Sequence, residues 1–164
     1  MRQLAVTSVM LCAALVLGAP ARGEAPPEAP AYGTPITLDM AKKVAAAAHE
    51  EAKKNGFRDA IAIVEPSGAL VYLEKMDDTQ YAGPDVAIDK ARSTVLYRRS
   101  TKVFNEGLGK GAPTIYLMTL RGMQGAEGGV PIMSGGKIIG AIGVSGGTGP
   151  QDGQVATAGA NAVK

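Results

Sequence analysis

The stretch GGVPIMSGGKIIGAIGVS (128–145) decides the fold. Two apolar runs, Gly128–Met133 and Lys137–Ser145, flank Ser134-Gly135-Gly136. Apolar runs bounded by glycine read as strands, and a short glycine step between two of them reads as a tight hairpin turn. The spacing therefore predicts an antiparallel hairpin. KIIGAIGVS (137–145) has no charge after Lys137 and is the strongest strand in the chain. Gly140 and Gly143 interrupt it without side chains, so another backbone, a helix or a ligand can approach there.

Reading outward, Gly146–Gly149 is a flexible loop, and Gln151–Val163 is a terminal helix built from small residues. Upstream, AIAIVE (60–65) is apolar on both faces and reads as a buried strand. Pro66-Ser67-Gly68 is a turn signal, and Leu70–Met76 is the returning strand. A polar loop, Asp77–Pro84, leads to a second helix. Pro84 suits a first helical position and Asp85 a first turn, where the helix dipole favours an acid. This helix is expected to run to about Phe104, with Ala87, Ile88, Ala91 and Val95 as its buried stripe. Gly107–Pro113 breaks the chain, and Thr114–Met123 has a mixed period, part helix and part strand. At the front of the domain, Thr37 can cap a helix ending at Asn55-Gly56. Ala41, Val44, Ala45, Ala48 and Ala52 form its apolar stripe, whose small residues imply close packing on a sheet. The order α-β-β-α-(α/β)-β-β-α predicts an α+β domain, an antiparallel β-sheet flanked by helices.

The first residues carry a different signal. Arg2 precedes an uncharged apolar run, Leu4–Leu17, and small residues follow at Gly18, Ala19, Ala21 and Gly23. This is the pattern of a cleavable signal peptide over residues 1–23, and a run of about 14 residues is too short to span a bilayer. Residues 24–35, rich in Pro and Ala, read as a flexible leader, and residues 36–164 as a single domain. Cleavage after Gly23 removes Arg2, Arg22 and Cys12, leaving 15 basic and 15 acidic residues and no cysteine. A neutral, cysteine-free chain offers no electrostatic reason to bind nucleic acid and excludes disulfide and thiolate chemistry. Its expected location is the periplasm or the exterior, with no membrane span after cleavage.

Five segments in order carry a family resemblance: AAAAHEEAKKNG (45–56), IAIVEPSGALVYLEKMDD (61–78), AIDKARSTVLYRRST (87–101), GGVPIMSGGKIIGAIGVSGGTGPQD (128–152) and VATAG (155–159). The chain resembles the HbpS/GlcG-like haem-binding proteins, which share their domain with the C-terminal part of PduO-type proteins. The resemblance implies a profilin-like fold, homo-oligomers and, in secreted members, binding of haem or its iron. Together with the leader peptide, it implies an exported protein that binds haem or a related tetrapyrrole, or its iron, for sensing, storage or uptake. A haem-degrading enzyme and a periplasmic accessory protein for a small organic acid are the alternatives.

A haem site needs an apolar slot, an axial ligand and cations for the propionates. His49, the only histidine, is the candidate axial ligand. Lys90 and Arg98 are candidate anion-binding cations, and Lys90 matches the family's recurrent Lys-Ala pair. Asp77 and Asp78 are candidate oxygen ligands for a cation. In the resemblance, glycine usually stands where Asp78 stands. Tyr81 is a candidate phenolate, as are Tyr72, Tyr97 and Tyr116. Ser145, Gly146 and Gly147 could present backbone amides to an anion at the start of the last helix. No nucleophile–base–acid set can be assembled, so no catalytic residue is assigned.

Overall fold

The computed structural model describes residues 28–163. The signal-peptide segment and residues 24–27 lie outside them. The element order is α1 (Leu38–Lys54), β1 (Ala60–Val64), β2 (Leu70–Lys75), α2 (Gly83–Tyr97), α3 (Lys102–Leu108), a 3-10 helix (Ala112–Thr119), β3 (Gly129–Ser134), β4 (Lys137–Ser145) and α4 (Gly149–Ala160). The strands form one antiparallel sheet in the order β2-β1-β4-β3. The architecture is the α+β arrangement that the hairpin reading predicts.

Both hairpins close as expected. Ser134 pairs with Lys137, leaving Gly135 (φ 54°) and Gly136 (φ 74°) as the turn. Positive φ at both positions is the type I′ geometry that matches strand twist, and only glycine adopts it without cost. Pro131 lies in β3, an edge strand, where its missing N–H breaks no interior ladder.

Alternation along β1 sorts the core into two layers. Ile61 and Ile63 pack with Val44, Ala45 and Ala48 of α1 and Val155 and Ala156 of α4. Ala60, Ala62 and Val64 face the other way, towards Ala87, Ala91 and Val95 of α2. The sheet is thus sandwiched, α1 and α4 on one face and α2 on the other. Gly143 explains how closely α2 can sit. A Cβ there would collide with the Ala87 carbonyl oxygen and lie 2.7 Å from the Ala91 nitrogen. A glycine in the strongest strand is therefore the seat of a helix.

From Ala31 to Ile36 the chain lies along β4 beyond the reach of β1. Gly33 and Ile36 donate to the carbonyls of Ile138 and Ile139, and Ile138 donates to Ala31. Part of the Pro/Ala-rich segment is therefore bonded to the sheet.

Two expectations for the middle of the chain need correction. The second helix stops at Tyr97, not Phe104. Arg98 takes a left-handed conformation (φ 52°, ψ 40°) and caps it. The cause is tertiary. Thr101 N–H and Ser100 Oγ both donate to the Gly129 carbonyl, and Gly129 N–H donates to Thr101 Oγ1. These bonds fasten the chain to β3 and force the break, after which α3 restarts. Thr114–Met123 forms no strand. Its first part belongs to the 3-10 helix, whose residues include none that is buried.

Candidate functional site

A cleft of about 490 Å³ opens between the last turns of α1 and the end of β2. His49 and Lys53, one turn apart on α1, supply one wall, with Arg58 following the helix. Glu74, Lys75, Met76, Asp77 and Asp78 supply the other. Three of the sequence candidates, His49, Asp77 and Asp78, are therefore brought together.

The chemistry centres on His49. Its Nδ1 bonds Glu74 Oε1, and Tyr72 donates its O–H to Glu74 Oε2 at 3.2 Å. A ring nitrogen that donates to a carboxylate fixes the tautomer and leaves the other nitrogen its lone pair. Nε2 has no hydrogen-bond partner among the described residues. Glu74 is thus a positioning residue, 25 positions away in sequence. Burial, and then the charge of Glu74, hold the Tyr72 phenol above its ordinary pKa. Its proton is committed to Glu74, which argues against Tyr72 as a phenolate ligand.

Lys53, Arg58 and Lys75 form no ion pair among the described residues. They face Glu74, Asp77 and Asp78 in equal number, so the cleft is polar and balanced. Asp78 adopts φ 62°, the left-handed conformation a glycine would take, and aspartate tolerates it. The turn is therefore made with a carboxylate at this position. Among the described residues no three His, Cys, Asp or Glu side chains converge as a ready metal site.

The remaining candidates lie elsewhere. Lys90 is 2% exposed, and its Nζ bonds Asp152 Oδ2 at 2.6 Å and the Val144 carbonyl at 2.8 Å. Its charge is consumed inside the protein, which corrects the expectation of a ligand-facing cation. Position 90 belongs to the buried side of α2, three residues after Ala87, so its burial was legible from the stripe. Arg98 is exposed; it stacks over the Tyr32 ring at 5.8 Å and reaches the Ala29 carbonyl. Tyr81 is 98% exposed. Ser145 is buried at the end of β4, and Gly147 N–H donates to Asp152 Oδ1 at 2.9 Å. That amide serves the buried ion pair.

A third charged residue beside this pair escaped the sequence reading. Asp59 is 1% exposed, and neither carboxylate oxygen has a hydrogen-bond partner among the described residues. Burial, reinforced by the Asp152 charge and opposed by Lys90, raises its pKa from 3.8 to about 6.

A second groove, of about 630 Å³, lies on the opposite side of the sheet, along α2. It is apolar and contains no histidine. The histidine and this apolar groove are thus divided between two faces.

Comparison with known proteins places this geometry. Residues 36–161 match the family model described as haem degrading protein HbpS-like. Protein GlcG of Escherichia coli K12 is 41% identical over 110 residues, covering 67% of this chain and 81% of that protein. The crystal structure of HbpS superposes with a TM-score of 0.72 at 31% identity, covering 80% of this chain and 92% of HbpS. The PduOC:haem complex gives the same TM-score of 0.72 at 22% identity, over 80% of this chain and 96% of that one, a likeness of fold.

Proposed function

The chain belongs to the HbpS-like family, and on that premise we propose that it is an exported haem-binding protein whose iron ligand is His49. The observation that carries the reading is the His49–Glu74 pair, which leaves the Nε2 lone pair without a partner among the described residues, in a cleft lined by three cations and three carboxylates. The imidazole fits the iron of a porphyrin, while the polar walls of the cleft give its faces little apolar surface beyond Met76. An imidazole backed by a carboxylate is a common axial ligand, because the carboxylate raises its basicity. Lys53 and Arg58 would hold the propionates, while Asp77 and Asp78 would repel them and so fix which edge of the macrocycle enters. The bound group would supply iron coordination and redox chemistry; the chain supplies binding and orientation. Tyr72 keeps Glu74 in place through its O–H.

Export rests on the leader pattern of residues 1–23, and the second copy expected of this family is part of the same proposal. Amino-terminal sequencing of protein recovered from the periplasmic fraction should begin at Glu24. Recovery of full-length chain in the cytoplasm alone would overturn export.

Haemin titrated into the purified protein tests the binding reading. A saturable Soret shift with one haem per chain, reduced tenfold or more in affinity by His49→Ala, is the expected result. The same affinity in His49→Ala would remove His49 from the site. The family description raises degradation as a second reading. Loss of the Soret band with release of iron, under reductant and oxygen, would favour it over stable binding.

A further inference from the structure

The groove along α2 has features the haem reading does not use. One wall is the exposed side of α2: Asp89, Arg92, Leu96 and Tyr97. The other is the loop Arg121–Gln124, which follows the 3-10 helix. Two hydrogen bonds clamp this loop to the helix. Tyr97 O–H donates to the Arg121 carbonyl at 2.7 Å, and Gln124 N–H donates to the buried Ser93 Oγ at 2.9 Å. Gly122, at φ 71°, lets the loop pass the helix; a Cβ there would lie 3.1 Å from Leu96 Cδ2 and crowd the opening. The groove is therefore held by specific hydrogen bonds between the helix and the loop that wall it.

Its chemistry is selective. Leu96, the Tyr97 ring and Met123 give an apolar lining, and Leu96 is 57% exposed among the described residues. Arg92 spends its Nε on the Gly68 carbonyl at 3.2 Å, and its terminal nitrogens have no hydrogen-bond partner among the described residues. Arg121 makes no side-chain hydrogen bond, and neither arginine is ion-paired, among the described residues. Free guanidiniums beside apolar surface complement a carboxylate attached to a hydrocarbon body, since the planar fork of arginine binds a carboxylate with two hydrogen bonds. Asp89 stands one helical turn before Arg92 and would repel a second acid at that end. A volume of about 630 Å³ lies within the range of small-molecule sites.

We infer that the Leu96–Met123 groove is a second ligand site, specific for a small amphipathic monocarboxylate, whose acid is bound by Arg121 and Arg92 and whose hydrocarbon part lies on Leu96, Tyr97 and Met123. It lies across the sheet from His49, so the two sites are separable by mutation.

The test uses the full mature chain with octanoate and 3-phenylpropionate as probes and octanol as the uncharged control. Binding is read by calorimetry and by the Met123 methyl resonance. Saturable carboxylate binding is expected, tenfold or more tighter than octanol, with the Met123 signal moving. Arg121→Gln should weaken octanoate at least tenfold and leave octanol unchanged. His49→Ala should leave octanoate affinity unchanged, which distinguishes this site from the haem cleft. Arg121→Gln is on the surface, and an unaltered melting temperature will show that it folds. Equal affinity for octanol and octanoate, or octanoate binding indifferent to both Arg121→Gln and Arg92→Gln, would overturn the inference. So would a Met123 signal that responds only to protein concentration, which would make the groove a contact between copies of the chain.

Discussion

Replacing Asp59 by asparagine should change how stability depends on pH, and the structure fixes both sign and size. Asp59 is buried beside the Lys90–Asp152 pair without a hydrogen-bond partner among the described residues, and its pKa rises from 3.8 to about 6. Between those values the folded protein holds a proton that the unfolded chain has released. Stability contributed by this group is therefore complete below pH 3.8 and lost as pH rises towards 6. At about 1.36 kcal/mol per pH unit the loss is roughly 3 kcal/mol. For a domain of this size that corresponds to about 10 °C in melting temperature. Asparagine cannot ionise, so Asp59→Asn lacks this loss. The assay is urea unfolding of both proteins from pH 4 to pH 7, reading the difference in free energy at each pH. Any fixed cost of burying the amide cancels in the slope. The difference should move by about 2.4 kcal/mol in favour of Asp59→Asn as pH rises from 4 to 7, the remainder of the loss falling below pH 4. Parallel curves across that range would refute the reasoning and mean that Asp59 is solvated or paired in the folded state.

Other consequences follow from the packing. Lys90→Met should destabilise the fold by about 3–5 kcal/mol at pH 7, because it strands the Asp152 carboxylate in the core. Lys90→Met with Asp152→Leu should recover most of that loss, as measured by denaturant midpoint. Gly143→Ala should cost about 1–3 kcal/mol or more, since its Cβ meets the backbone of α2 and no side chain can yield. Thermal unfolding within 1 °C of the parent would show that α2 is less closely seated. Glu74→Gln should weaken haem binding about tenfold, as loss of a supporting carboxylate does elsewhere, with little change in stability.

The elements that could be read from sequence are those specified locally. The Gly135-Gly136 turn needs two positive φ angles, and the α1 stripe needs only helical spacing; both appear in the structure as read. The break after Tyr97 could not be read, because Arg98 carries no glycine or proline signal and the cause is hydrogen bonding to Gly129, some thirty residues away. The site divides in the same way. His49 was marked by being the only histidine. Its partner Glu74 was not, since only the seating of α1 against the end of β2 brings them together. Lys90 drew notice as a charge in a family motif, yet the same residue sits on the buried side of α2. The periodicity was the better guide to its role. The Arg92–Arg121 groove depends on a loop folded back on α2 by Tyr97 and Ser93, contacts between segments that share no local pattern.

The single histidine makes the central claim directly measurable. Protein labelled with ¹⁵N only at histidine and loaded with ferric haem can be studied by pulsed electron paramagnetic resonance, where every ¹⁵N signal belongs to one residue. Direct coordination by Nε2 predicts a strong ¹⁵N hyperfine coupling to the iron, absent from the unlabelled protein. Saturated haem binding with no ¹⁵N coupling would contradict the assignment of His49 as the iron ligand.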